Sequence, residues 1–472
     1  MITILWGALG MCLLLAIAVL FSVDRKKIKI RTVAVALALQ VGFAILVLYV
    51  PWGQVLLEAV SNGVRAVVGQ TEEGTAFLFG HFFDENAPFV LNVLPVIIFF
   101  ASLTAILYHL KVLQLVVRVI GGALQLLLGT SRAESMNTAA NIFVGQTEAP
   151  LVIRPYVAGM TKSELFAVMV GGLSTVAGSV LVGLNQMGAE LEYLIAACFM
   201  AAPGALLMAK ILVPAGSFDE VDAGELEREH PEAMSTDKTV LGGAKYTKAE
   251  KAEGSDDAAP SGAVATAEAP AEDPTTPGEQ EDILGDDEPP ARNDEAYGTP
   301  EARNVIDAAA RGASDGLRLA LNVAAMLLAF VALIALVNLF IGQIGGIFGY
   351  GGLTMEEIFG YVFAPLMWAI GVPWEEATAA GSFLGQKIVL NEFVAFAAFT
   401  EYDGTFSDKT SAIVTFALTG FSNFSSLAIL LGGLGTLVKN RRSEIAQLGM
   451  RAVLAGTLAN LMSAAIVGMI LV

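Results

Sequence analysis

Charged residues are scarce in this chain. Asp, Glu, Lys and Arg make up 15% of its 472 residues, against about 25% in a soluble domain. Cysteine and histidine are scarcer still. Cys12 and Cys198 both sit in apolar runs, and His81, His109 and His230 are scattered. So few thiols and imidazoles make no disulfide framework and no metal-ligand spacing. There is also no nucleophile elbow and no phosphate-binding Gly loop, so neither an enzymatic activity nor an enzymatic cofactor is expected. What the chain does have is apolar surface. Hydrophobic residues are 55% of the sequence, and the mean hydropathy is +0.64. Apolar runs of about 20 residues recur, the length that crosses ~30 Å of hydrocarbon. A disordered chain, a fibrous repeat and a cytosolic enzyme are excluded. The expected fold class is an all-α polytopic membrane protein.

The net charge of −19 is concentrated in one segment. Residues 217–302 hold 24 acidic and 6 basic residues, a net of −18. The rest of the chain is therefore almost neutral. The acidic stretch contains Asp-Asp-Glu-Pro-Pro at 286–290 and few large apolar residues. That composition predicts a disordered linker over 216–302. No nucleic-acid partner is expected, and the bilayer is the principal partner.

Spans 1–3 are expected within 1–110, at about 2–22, 32–50 and 87–109. The basic cluster Arg25, Lys26, Lys27, Lys29 and Arg31 belongs in the cytoplasm, which puts the N-terminus and residues 51–86 outside. Residues 111–131 read as an interfacial helix. Spans 4 and 5 are expected within 161–215, and the acidic linker is then cytoplasmic. An amphipathic helix and span 6 fill 303–352, and 353–371 is an external interfacial helix. Spans 7 and 8 occupy 404–472. Lys439, Arg441 and Arg442 lie between them in the cytoplasm, and the C-terminus ends outside. The expected location is a bacterial inner membrane.

Two stretches, 132–160 and 372–403, are too polar to cross as plain helices. They share a pattern: Asn141-Ile-Phe-Val-Gly145 in the first, Asn391-Glu-Phe-Val-Ala395 in the second. Each follows an apolar span and an interfacial segment. Each precedes a span interrupted by small and polar residues, at 172–179 and at 419–426. The first copy begins outside and the second inside, so the arrangement is an inverted repeat. Non-helical backbone at membrane depth survives only when buried in protein or lining a cavity. Two re-entrant hairpins entering from opposite sides would bring their tips together near the midplane, beside the two interrupted spans. The fold expected is thus eight transmembrane helices, two re-entrant hairpins and interfacial helices.

The first tip reads Gly145-Gln146-Thr147-Glu148-Ala149-Pro150. It offers an amide, a hydroxyl and a carboxylate in succession. A carboxylate inside a membrane is costly, so Glu148 and Glu392 are functional candidates. The alternative is a structural ion pair, Glu148 with Arg154 and Glu392 with Lys387. Asn423, Ser425 and Ser426 are either ligand contacts or helix-packing groups.

Three blocks resemble a known family. The run from Gly385 through Lys387 to Asn391-Glu392-Phe-Val-Ala-Phe396 resembles the signature of the concentrative nucleoside transporters. The Gly145–Leu151 run followed by Arg154-Pro155, and the Gly420–Ser426 run, are similar to two further blocks of that family. The resemblance implies a homotrimer in which each protomer has its own pathway. It implies that Gln146, Thr147 and Glu148 hold a nucleobase, with Val180 packed on it. It implies that Glu392, Asn423 and Ser426 bind the ribose, with Phe421 beside them. It places sodium at Asn141, Thr175 and the backbone carbonyls of Val144 and Val176. The family usually has Ser where this chain has Thr175, and Thr keeps the oxygen. Ser422 and Phe424 depart from the small and aliphatic residues usual in that run, so pyrimidine against purine stays open. The implied function is symport of uridine-like nucleosides driven by a sodium gradient. Proton coupling through Glu148 or Glu392, and a nucleoside-sensing receptor, remain as alternatives.

Overall fold

Hydrogen-bonding needs inside a bilayer favour helices, and among the described residues the secondary structure is helical, with no strand. The structure is a computed structural model, and it describes residues 2–80, 89–218, 302–402 and 404–471. These fall in one compact unit. The acidic linker lies outside the described residues over 219–301, as do residues 81–88.

α1 (Ile2–Leu20) and α2 (Ile30–Leu48) are joined by the basic turn. Asp24 accepts from the Lys26 N–H at 3.1 Å. The Arg25 guanidinium donates to the Val19 and Leu20 carbonyls at 3.0 and 2.9 Å. A cation thus closes the carbonyl end of α1, where the helix dipole favours it. Pro51 starts α3 (Pro51–Gly69), a surface-type helix that buries Gly53, Leu57 and Ser61 along one face. α4 (Thr71–Phe79) follows. The sequence predicts only an external segment here. Its stripe is short and made partly of small residues, which hides a helical period.

Long α5 (Phe89–His109) packs along α13 (Val305–Ile347), a single helix of 43 residues. The sequence predicts an amphipathic helix and then a separate span here. The reason for continuity is a stripe of Ala308, Gly312, Gly316 and Ala320, all buried. A Cβ on Gly312 would stand 2.6 Å from the Ala105 Cβ, and one on Gly316 would stand 2.8 Å from that of Ala101. Such small-residue seams let two backbones approach closely, and this seam runs through both expected pieces. The first helix–break–helix unit follows α5 in the chain. Amphipathic α6 (Val112–Leu128) ends at Gly129 in the left-handed region, φ +65. It packs on α7 (Arg132–Ala140). Residues 141–148 leave the helix, and short α8 (Ala149–Val152) and α9 (Arg154–Val157) follow, each opened by a proline near its start.

A capping box of Thr161 and Glu164 opens α10 (Lys162–Ser174). After a gap at 175–177 the chain resumes as α11 (Gly178–Gln186), then α12 (Leu191–Leu212). The second half repeats the order. α14 (Met355–Ala369) has its own capping box, Thr354 with Glu357. α15 (Trp374–Val389) and α16 (Glu392–Thr400) are separated at Leu390–Asn391. α17 (Asp408–Leu418) and α18 (Phe424–Leu437) are separated at 419–423, and α19 (Arg442–Ile470) closes the chain. α12 and α19 form the centre of the core, against each other and against α10 and α17.

Among the described residues six helices are long and apolar enough to cross a membrane. The count becomes seven if Met355–Ala369 and Trp374–Val389, bent by 118°, make one span. Two expected spans fall short by this measure. The seventh is split into helices of 11 and 14 residues by its break. The first, Ile4–Leu20, counts among the shorter apolar helices.

Candidate functional site

The two helix–break–helix units and the two interrupted helices meet in one place. At the break after α10, the Thr175 carbonyl accepts the Phe421 N–H at 3.2 Å, from the break before α18. The Gly178 N–H donates to the Phe143 carbonyl at 3.1 Å, tying α11 to the segment after α7. Gln146 donates from Nε2 to the Ser426 carbonyl at 3.3 Å. Residues 280 positions apart are thereby joined, and candidates from both halves line one polar site.

On the first side, Asn141 is fully buried. Its Nδ2 donates to the Asn137 carbonyl at 3.0 Å, and its Oδ1 has no partner among the described residues. Gln146 Oε1 is likewise buried without a partner. Buried oxygens of this kind are uncommon in proteins, and each leaves acceptor capacity for a water, an ion or a ligand. Asn141 Oδ1 would lie 3.8 Å from a Cβ on Gly172, and the Gln146 Cβ only 2.9 Å from it. Glycine at 172 is what lets the tip approach α10. Thr175 is buried, with Oγ1 donating to the Gly171 carbonyl at 3.1 Å, and Val176 is buried beside it. Val144 is half-buried. These oxygens are hard donors of the type an alkali cation takes. His, Cys, Asp and Glu clusters fit for a transition metal are absent among the described residues.

Thr147 Oγ1 donates to Glu148 Oε1 at 3.0 Å. Glu148 is exposed, and its carboxylate folds back over Gly145, where a Cβ would collide with it. Val180 is buried in the first turn of α11.

On the second side, Glu392 is buried at the first position of α16. Asn423 Nδ2 donates to Glu392 Oε2 at 2.8 Å. The Asn423 Oδ1 accepts the Ser426 N–H at 2.7 Å and the Ser425 hydroxyl at 2.8 Å. One asparagine therefore caps α18 and orients the carboxylate. Ser426 and Phe421 are buried within the same break and its first turn. The structure joins Gln146 to Ser426 and Phe421 to Thr175, and it sets Asn141 and Gln146 both against Gly172. It joins Glu392 to Asn423, and Thr147 to Glu148.

Lys387 is not a simple partner of Glu392. Its Nζ donates to the Ser422 hydroxyl and, at 3.1 Å, to Asn460 Oδ1. Asn460 is a residue the sequence does not single out. Its Nδ2 donates to the Ser174 and Thr419 carbonyls, both at 2.7 Å. The only sequence signal is an amide within the apolar stretch 449–472, and in a membrane such a residue seeks partners.

A helical membrane protein with two interrupted helices and polar, partly unpartnered groups at their breaks is built as a solute transporter. Comparison with known proteins says which kind. Family models described as Na+ dependent nucleoside transporter N-terminus and C-terminus match residues 9–82 and 258–468. A nucleoside recognition model, termed Gate, matches 90–191. The nucleoside permease NupC of Helicobacter pylori is 41% identical over 98% of this chain and 97% of its own. The uncharacterized transporter YutK of Bacillus subtilis is 48% identical over 99% of both chains. The solved structure of CNTnw in an inward-facing substrate-bound state shares 46% identity over 99% of this chain and 97% of that one, with a TM-score of 0.79. An outward-facing CNTnw variant gives a TM-score of 0.80 at 45% identity, covering 99% of this chain and 98% of that one. The chain belongs to the Na+-dependent, or concentrative, nucleoside transporter family, and it is a transporter rather than an enzyme.

Proposed function

We propose that this protein imports uridine-like nucleosides across a bacterial inner membrane, driven by an inward sodium gradient. One observation carries the reading: the Gln146–Ser426 bond unites the tip proposed for the base with the helix proposed for the ribose. On this reading Gln146, Thr147 and Glu148 hold the base with Val180 against it. Glu392, Asn423 and Ser426 hold the ribose beside Phe421. Sodium binds to Asn141 and Thr175 and to the carbonyls of Val144 and Val176. The orphan Asn141 Oδ1 supports that assignment.

The same reading takes the chain as eight spans with re-entrant hairpin 1 at 132–160 and hairpin 2 at 372–403, inverted relative to one another. Both termini are outside, the acidic linker is cytoplasmic, and three copies assemble. Alternating access is supported by relatives solved in inward-facing and outward-facing states. The deciding experiment is uptake of labelled uridine into proteoliposomes with and without an inward sodium gradient. Accumulation only with sodium supports the proposal. Accumulation that ignores sodium and follows pH replaces sodium with protons. Saturable binding without accumulation makes the protein a receptor.

A further inference from the structure

The repeat sets two positions in correspondence. Aligning Asn141 with Asn391, as the shared Asn-x-Phe-Val runs require, aligns Asn137 with Lys387. Aligning the first residues of α11 and α18, Gly178 and Phe424, aligns Val176 with Ser422. In the first half these positions surround uncompensated oxygen. Asn137 Oδ1 and Asn141 Oδ1 are both buried with no partner among the described residues. Both amides lie against α10, with their Nδ2 atoms 3.4 and 3.5 Å from where a Cβ on Gly171 would be. In the second half the same place holds a positive group instead. Lys387 is fully buried one helical turn before Asn391. It donates to Ser422 in the break and to Asn460 at 3.1 Å.

We propose that Lys387 is a resident cation of the second half. Its ammonium occupies the repeat-related counterpart of the coupling-ion site and ties hairpin 2 to the break of span 7. The correspondence with an ion rests on the sodium reading above, whereas the tether does not. A buried ammonium has three donors that must all find acceptors, and Ser422 and Asn460 are placed to receive two of them. A side-chain cation cannot leave. The second half therefore keeps its cation throughout transport, while the first half has one only when its ion is bound. Through Asn460 the tether reaches the Ser174 and Thr419 carbonyls, at both interrupted helices. It also fixes Ser422, the neighbour of Phe421 and Asn423. Lys387 is thus a positioning residue for the ribose side.

The test uses purified protein in liposomes and measures uridine binding at saturating sodium. Lys387→Ala leaves room for a small amine, and Lys387→Met fills the space without charge. Both should weaken binding by about tenfold or more. Ethylammonium should restore part of the loss in Lys387→Ala and none in Lys387→Met, and propanol should restore neither. Ser422→Ala should weaken binding by about threefold or more while leaving the sodium midpoint in place. Binding by Lys387→Met within about twofold of wild type overturns the tether. So does equal action of ethylammonium and propanol on Lys387→Ala. If neither Lys387 variant inserts, Ser422→Ala decides, and wild-type binding there overturns the proposal. Wild-type binding that is indifferent to sodium sinks the sodium reading instead, and amine rescue still reads the tether.

Discussion

The Phe421 N–H donates to the Thr175 carbonyl at 3.2 Å. Each residue lies where a different helix is interrupted, so the two interrupted helices are joined main chain to main chain at their breaks. Asn460 reinforces the joint one residue earlier on one side and two on the other, through Ser174 and Thr419. A ligand that orders one break is therefore felt at the other. That is the physical requirement for coupling an ion on one side to a solute on the other.

The joint depends on a glycine. Gly420 has φ +152, a conformation that residues with a Cβ rarely adopt. A Cβ there would run into the Asn460 amide and stand 2.8 Å from the Ser174 carbonyl. Gly420→Ala should cost about 1–3 kcal/mol of stability through backbone strain alone, with more from the displaced amide. Gly432→Ala, in α18 with nothing within 4 Å of the added carbon, is the control and should be neutral or slightly stabilising. Thermal unfolding of the two variants in detergent checks this. Equal melting temperatures would remove the joint from the argument.

Glu392→Gln should lower nucleoside affinity by about a hundredfold or more while insertion and assembly persist. Two charge-assisted hydrogen bonds of roughly 1.5–3 kcal/mol each would be lost. The amide is nearly the same size, and Asn423 can still donate to its oxygen, so the packing survives. Equilibrium binding of labelled uridine measures the effect. Near-wild-type binding would sink the ribose assignment.

The polar residues of the site were legible in the sequence because they interrupt apolar runs. Gln146, Glu148 and Glu392 are conspicuous there, since hydrocarbon tolerates such groups only for a reason. Their pairing was not legible. That Gln146 meets Ser426, or Phe421 meets Thr175, depends on how two halves interleave, and no local pattern encodes it. Asn460 was missed because a single amide among the apolar residues of a 29-residue helix barely changes the hydropathy. The continuity of α13 was missed for a related reason. Its seam is made of alanine and glycine, which carry little hydrophobic signal while deciding how closely helices pack.

Deleting residues 225–295 should leave uptake and assembly largely intact. The wider segment from 217 to 302 carries a net of −18 and few large apolar residues, so its composition offers little that would dock. Uptake by the shortened protein, normalised to the amount inserted, is the measurement. Normal insertion with lost uptake would make the segment a regulatory element.

Sodium and nucleoside should tighten each other by one shared factor, because the ion is proposed to bind where the segment after α7 meets α10 and not at the carboxylates. Sodium favours several hard oxygens. Asn141 Oδ1 is buried and unpartnered among the described residues. The Thr175 hydroxyl is satisfied by the Gly171 carbonyl at 3.1 Å, and as a donor there it keeps lone pairs for a cation. An ion between them would hold the tip against α10 and so complete the base side at Gln146. Asn141→Ala and Thr175→Val should then raise the sodium needed for half-maximal binding and weaken uridine binding at low sodium. Saturating sodium should restore part of it. Thr175→Ser keeps the oxygen and should be nearly silent. Linkage requires that uridine shift the sodium midpoint by the same factor that sodium shifts the uridine midpoint. Titrating each ligand at several fixed concentrations of the other checks this. If replacing sodium with choline at constant pH leaves uridine binding unchanged, the ion is not part of this site, and the orphan oxygen of Asn141 must serve the nucleoside itself.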